Sequence, residues 1–290
     1  MNPTGHTLPE PVAPPAIIFS HGHHAAKQAQ HPYLTFFRTV IAPRFTLFYL
    51  LFAIILMSQV AFILHPVLGV YATFAALVSC IAIALRHESI RKLAVSVGII
   101  PAATIVTMCL PQGSTFATMV VFYDVLLILS LVYRYMFMTS EPKEDRGLRA
   151  TGYLKSIPTM LVLGQLLGGL AYIALRDHYA YSDMSFGLVA ASAAIFAIAE
   201  ESFFRGLIQQ RASKVFHPIM GAVLSTLLFA TLSLGQGNLP SAGVALVTGA
   251  VLSTVYYHKQ NVLLTILLNF TAKLVYLLLL ADLSWHYFQI

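Results

Sequence analysis

From Phe45 onward the chain is a succession of apolar stretches of about twenty residues, each closed by a short polar break. A helix needs ~20 apolar residues to cross the hydrocarbon core of a bilayer. Inside that core only structures that satisfy their own backbone hydrogen bonds survive. Nine spans are predicted, at about 45–64, 67–85, 93–110, 116–138, 157–176, 186–208, 219–235, 240–257 and 262–281. Composition points the same way. Hydrophobic residues make up 58% of the chain and charged residues 10%, with a mean hydropathy of +0.78. A soluble domain sits near ~45–50% apolar and ~25% charged. A water-soluble enzyme, a disordered chain, a disulfide scaffold and a coiled coil are excluded, and an all-α polytopic transmembrane bundle is expected. Cys80 and Cys109 both lie in apolar runs, so both are expected to be buried packing residues.

Residues 1–44 stand apart as a flexible cytoplasmic tail, rich in proline and carrying His21, His23, His24 and His31. Without a Cys or carboxylate beside it, the histidine run reads as solvated polar sequence, and neither a metal nor a cofactor is expected. No stretch in the tail forms a signal-peptide core, which points to direct insertion and, with no transit signature, to a bacterial inner membrane. Residues 45–138 form a four-span N-terminal membrane region. Residues 139–156 are a charged cytoplasmic loop, and 157–281 form a five-span C-terminal core. In span 5, Gly164, Gly168 and Gly169 make a small-xxx-small pattern that lets helix backbones approach closely.

The basic residues test the span count, because cytoplasmic loops are enriched in Lys and Arg. Lys27, Arg38, Arg44, Arg86, Arg91, Lys92, Arg134, Lys143, Arg146, Arg149, Lys155, Arg211, Lys214 and Lys259 fall in the tail and alternate breaks, on one side of the predicted membrane. These are 14 of the 17 basic residues; the opposite breaks hold only Arg176. The N-terminus is therefore expected in the cytoplasm and the C-terminus outside. The net charge of +6 then reflects topology and contact with anionic membrane lipid, and no nucleic-acid partner is implied.

Few ionisable groups lie at span depth: Asp124, Glu200, Glu201, Arg205 and Lys273, with Asp282 near the outer end. Such groups are expensive in lipid and usually have a partner or a job. Glu201 and Arg205 are four residues apart, so they share one helix face and can pair. Glu200 points roughly 100° away and is free to face a cavity.

The run Glu200-Glu201-Ser202-Phe203-Phe204-Arg205, followed by Gly206, resembles the first motif, Glu-Glu-x-x-x-Arg, of the CPBP family. That family comprises the CAAX prenyl endopeptidases and the bacteriocin-processing or immunity (Abi) proteins. The second motif, Phe-x-x-x-His, aligns with Phe229 to Ser233. The third, His-x-x-x-Asn, aligns with Asn269 to Lys273. The resemblance covers about 155–281. It implies a glutamate-dependent intramembrane endopeptidase acting on a peptide or lipidated peptide. Glu200 and Glu201 would activate water, Arg205 would orient Glu201, and Ser233 and Asn269 would position the water or the oxyanion. This chain departs from the pattern at both histidines, with Ser233 in one place and Asn269 in the other, and Lys273 stands for the asparagine. Losing a general acid–base partner costs about 10²–10⁴ in rate. A cation beside Glu200 makes that carboxylate a poorer base. Hydrolysis is thus expected to be weakened or absent, and in the latter case Glu200 and Lys273 would form a buried ion pair joining spans 6 and 9. The alternative is a binding, immunity or scaffold protein that holds a peptide or lipid tail in the same cavity without cleaving it. A transport relay through Asp124, Glu200 and Lys273 is the weaker reading, since no paired Gly/Pro interruptions mark broken transport helices.

Overall fold

The computed structural model describes residues 43–109, 115–138, 153–176, 185–235 and 239–287. The histidine run of the tail and residues 139–152 of the charged loop lie outside the described residues. Within them, nine helices follow the nine apolar stretches: α1 (Pro43–Leu64), α2 (Pro66–Arg86), α3 (Arg91–Met108), α4 (Thr115–Met138), α5 (Tyr153–Leu175), α6 (Phe186–Val215), α7 (Pro218–Gly235), α8 (Leu239–Lys259) and α9 (Val262–Tyr287). Seven are long and apolar enough to cross a membrane, and the apolar stretches Tyr49–Leu64 and Pro218–Leu234 are shorter.

The breaks follow local chemistry. Pro66 opens α2 at its first position, where a missing N–H costs nothing. The Ser185 hydroxyl accepts from the Leu188 N–H at 3.4 Å and caps α6. Between α8 and α9 the chain reverses through Gln260, whose φ of 51° is left-handed. Asn261 then accepts from Leu263 N at 2.9 Å and Leu264 N at 3.3 Å, capping α9.

α6 is longer than predicted. It runs past 208 to Val215, through a π-helical turn at Phe204–Gln209. Arg211, expected in a polar break, lies on this extension and is buried. A π turn releases backbone carbonyls from the regular ladder, and these need other donors. Arg134 of α4 donates to the Ser202 carbonyl at 3.2 Å, and Ser225 of α7 donates to the Phe204 carbonyl at 2.9 Å. Gly206 belongs here for a steric reason, since a Cβ on it would overlap the Arg134 guanidinium.

α6 packs against α4 on one side and α9 on another, and α9 packs against α5. Two of the three glycines of α5 make that last contact possible. A Cβ at Gly164 would sit 2.7 Å from Thr271 Cβ, and one at Gly168 would sit 2.5 Å from the Ala272 carbonyl oxygen. Gly169 faces open space. Cys80 is buried as expected, whereas Cys109 is exposed. Cys109 falls one residue beyond the end of α3, where an apolar sequence run no longer means a packed helix face.

Candidate active site

The π turn and the α6–α9 contact bring four ionisable groups and one amide together. Arg205 Nη1 lies 3.1 Å from Glu201 Oε1, both side chains fully buried. The second arm of Arg205 donates to the Gly249 carbonyl of α8 at 3.0 Å, and its guanidinium carbon stands 5.0 Å from the centre of the Phe229 ring. The arginine is thus clamped between α6, α7 and α8, and it holds Glu201 in turn. Glu200 turns the other way. Its Oε1 pairs with Lys273 Nζ of α9 at 3.0 Å.

Asn269, one turn before Lys273, joins the two acids. Its amide nitrogen donates to Glu200 Oε2 at 2.8 Å and to Glu201 Oε1 at 2.9 Å. The opposite amide orientation would aim a carbonyl oxygen at two carboxylates, so the donor orientation is the one the site favours. Glu200, Glu201, Arg205 and Lys273 carry opposite charges in equal number, and each acid has a cation within ion-pair range. This is the condition under which charges tolerate burial.

A cavity of about 160 Å³ opens beside this cluster. Its polar wall holds Glu200, Asn269, Lys273, Ser233, Ser241 and Thr248, and its apolar wall includes Leu167, Ala171, Leu175 and Leu277. Glu200 therefore faces the cavity, whereas Glu201 and Arg205 stand behind it. Ser233 lines the cavity, with its hydroxyl donating to the Phe229 carbonyl at 3.3 Å. No histidine lines it among the described residues; His217 and His258 are exposed at helix ends. Asp124 is half-buried and does not reach the cavity wall.

One departure concerns Asn269. The resemblance would have its amide help hold an oxyanion, but both amide hydrogens are spent on the carboxylates. Another concerns the N-terminal spans, which sequence reasoning left without a role. α4 sends Met119 and Tyr123 into the cavity wall. The Tyr123 ring packs at a tilt of 41° against Phe196 of α6, ring centres 4.6 Å apart, and Lys273 Nζ lies 5.8 Å from the centre of each ring.

Residues 182–275 match the family model described as type II CAAX prenyl endopeptidase Rce1-like. The matched stretch contains all three motif segments and is narrower than the 155–281 suggested by the motifs. No curated protein and no solved structure matches the chain. The buried acid pair and its arginine clamp lie within the matched stretch, so the part of this multi-pass helical membrane protein that is similar to the type II CAAX prenyl endopeptidases, residues 182–275, is the part that builds the site.

Proposed function

We propose that the protein is a glutamate-dependent intramembrane endopeptidase in which Glu200 activates water against a peptide held in the α4–α9 cavity. The observation that carries this reading is the division of labour between adjacent acids. Glu201 is fixed by Arg205 and Asn269 behind the cavity, while Glu200 is 1% exposed and lines it. A carboxylate kept from bulk water but open to a cavity can act as base without competition from solvent. The apolar wall suits a substrate with a hydrophobic or lipidated segment beside the scissile bond. A peptide carrying a prenyl group or an apolar leader, incubated with purified protein and with Glu200→Gln, tests the reading. Cleavage that depends on Glu200 supports it.

The Glu200–Lys273 pair favours a second reading, a cavity that binds a peptide or lipid tail without cleaving it. A base already neutralised at 3.0 Å gives up part of its reactivity. Saturable binding of the same peptide with no cleavage by the wild type would support that reading.

The orientation proposed with either function has the N-terminus in the cytoplasm of a bacterial inner membrane. It rests on the one-sided distribution of basic residues. The exposed Cys109 then reports from outside. A membrane-impermeant maleimide added to intact cells is expected to label wild type and not Cys109→Ser. Labelling of Cys109 only after the cells are opened would reverse the orientation.

A further inference from the structure

Peptide hydrolysis needs more than a base. When the carbon–nitrogen bond breaks, the departing amine must receive a proton, and in this cavity most candidates are already engaged. Both Asn269 hydrogens go to the carboxylates. The Ser233 hydroxyl goes to the Phe229 carbonyl. No histidine lines the wall among the described residues. The Tyr123 and Tyr276 phenols also line the wall, but the Lys273 ammonium is a proton-exchanging donor in direct contact with Glu200, the acid that takes the water's proton. The ammonium has three protons and one anionic partner among the described residues, Glu200. It is also the more open half of that pair, with the Lys273 side chain 23% exposed against 2% for Glu200.

Resting on the hydrolytic reading above, we propose that Lys273 is a catalytic residue, the general acid that protonates the leaving amine, and that Glu200 and Lys273 form one acid–base dyad. Glu200 takes a proton from water as the water oxygen bonds to the carbonyl carbon. As the tetrahedral species collapses, the carbon–nitrogen bond breaks and Lys273 gives a proton to the nitrogen. The proton held on Glu200 then crosses the 3.0 Å contact to the neutral amine of Lys273. One water and one amide become one carboxylic acid and one amine, and both side chains return to their starting states. The Tyr123 and Phe196 rings, each with its centre 5.8 Å from Nζ, hold the ammonium by cation–π attraction and keep it aimed along the cavity wall.

The test uses the full-length protein with two substrates that share one peptide sequence. One has an amide at the scissile bond; the other has an activated ester whose leaving group departs without a proton. Lys273→Arg keeps the positive charge and the ion pair but cannot give up a proton. It is expected to lose about 10²–10⁴ in kcat on the amide, with KM little changed, while the ester rate falls far less. The amide-to-ester ratio is independent of how much variant folds, because both substrates meet the same folded fraction. Lys273→His, which can exchange protons, should recover part of the amide rate and shift the rate–pH profile toward the imidazole range near ~6.5. If the wild type cleaves with Glu200 dependence and Lys273→Arg slows amide and ester equally or not at all, the acid role is overturned and the hydrolytic reading stands. If neither substrate is cleaved in a Glu200-dependent way, both fall.

Discussion

The two halves of the bundle handle buried polar groups in different ways. In α1–α4 the buried serine and threonine hydroxyls serve their own helix, while the Tyr133 hydroxyl of α4 crosses to the Lys92 carbonyl of α3 at 2.8 Å. Ser58 donates to Ile55, Thr73 to Gly69, Ser96 to Lys92, Thr107 to Ala103 and Ser130 to Leu126, each to a backbone carbonyl three or four residues back. In α5–α9 such local bonds also occur, but another class is added that crosses between helices. Asn269 ties α9 to α6, Arg205 and Gln209 tie α6 to α8, Ser225 ties α7 to the π turn, and Thr226 ties α7 to α8. A hydroxyl bonded to its own helix places no demand on its neighbours. A carboxylate or guanidinium bonded across helices fixes their register, because any slip leaves a charge unpaired in a low-dielectric medium. The N-terminal helices are thus held mainly by apolar packing, with Tyr133 and Arg134 of α4 bonding across to α3 and α6, and the C-terminal ones are specified by a denser set of polar contacts beside the cavity.

Substitutions can break this contrast, and the greatest loss is expected at Arg205. Arg205→Leu strands the fully buried Glu201 and should cost about 3–5 kcal/mol, read as a lower unfolding midpoint in mixed micelles. A midpoint within error of wild type would mean that the clamp is dispensable. Next is the α5–α9 contact. Gly168→Ala drives a methyl into the Ala272 carbonyl and should cost about 1–3 kcal/mol, whereas Gly169→Ala, which meets open space, should leave the midpoint unchanged or slightly raised. Equal effects at the two glycines would contradict the helix pairing. Ser225→Ala removes one cross-helix bond and should cost about 0.6 kcal/mol, the average for such bonds in a membrane protein. Ser96→Ala removes a bond within one helix and should fall within about 0.5 kcal/mol of wild type. If Ser96→Ala cost more than Ser225→Ala, the division between the two halves would fail.

The same division decides what could be read from sequence. The helices were legible because length and apolarity alone define a span, and the nine stretches reappear with small shifts at their ends. The Glu201–Arg205 pair was legible because a four-residue spacing on one helix fixes it. The Glu200–Lys273 pair was legible as one of two outcomes, because few other charges lay at that depth. What stayed hidden depended on helix faces. These helices are apolar on most sides, so no polar stripe tells which face of α4 meets the cavity, and Met119 and Tyr123 gave no signal. The bridging role of Asn269 joins residues 69 and 68 positions apart, which no local pattern encodes. The π turn was hidden too, although Gly206 marks the place where Arg134 comes in.

In the proposed reaction Glu200 is the group that turns water on the peptide. Cleavage in ¹⁸O-labelled water measures this directly. Wild type is expected to place the label in the new carboxyl terminus, and Glu200→Gln to lower the labelling rate by about 10²–10⁴. Equal labelling rates in the two proteins would contradict it.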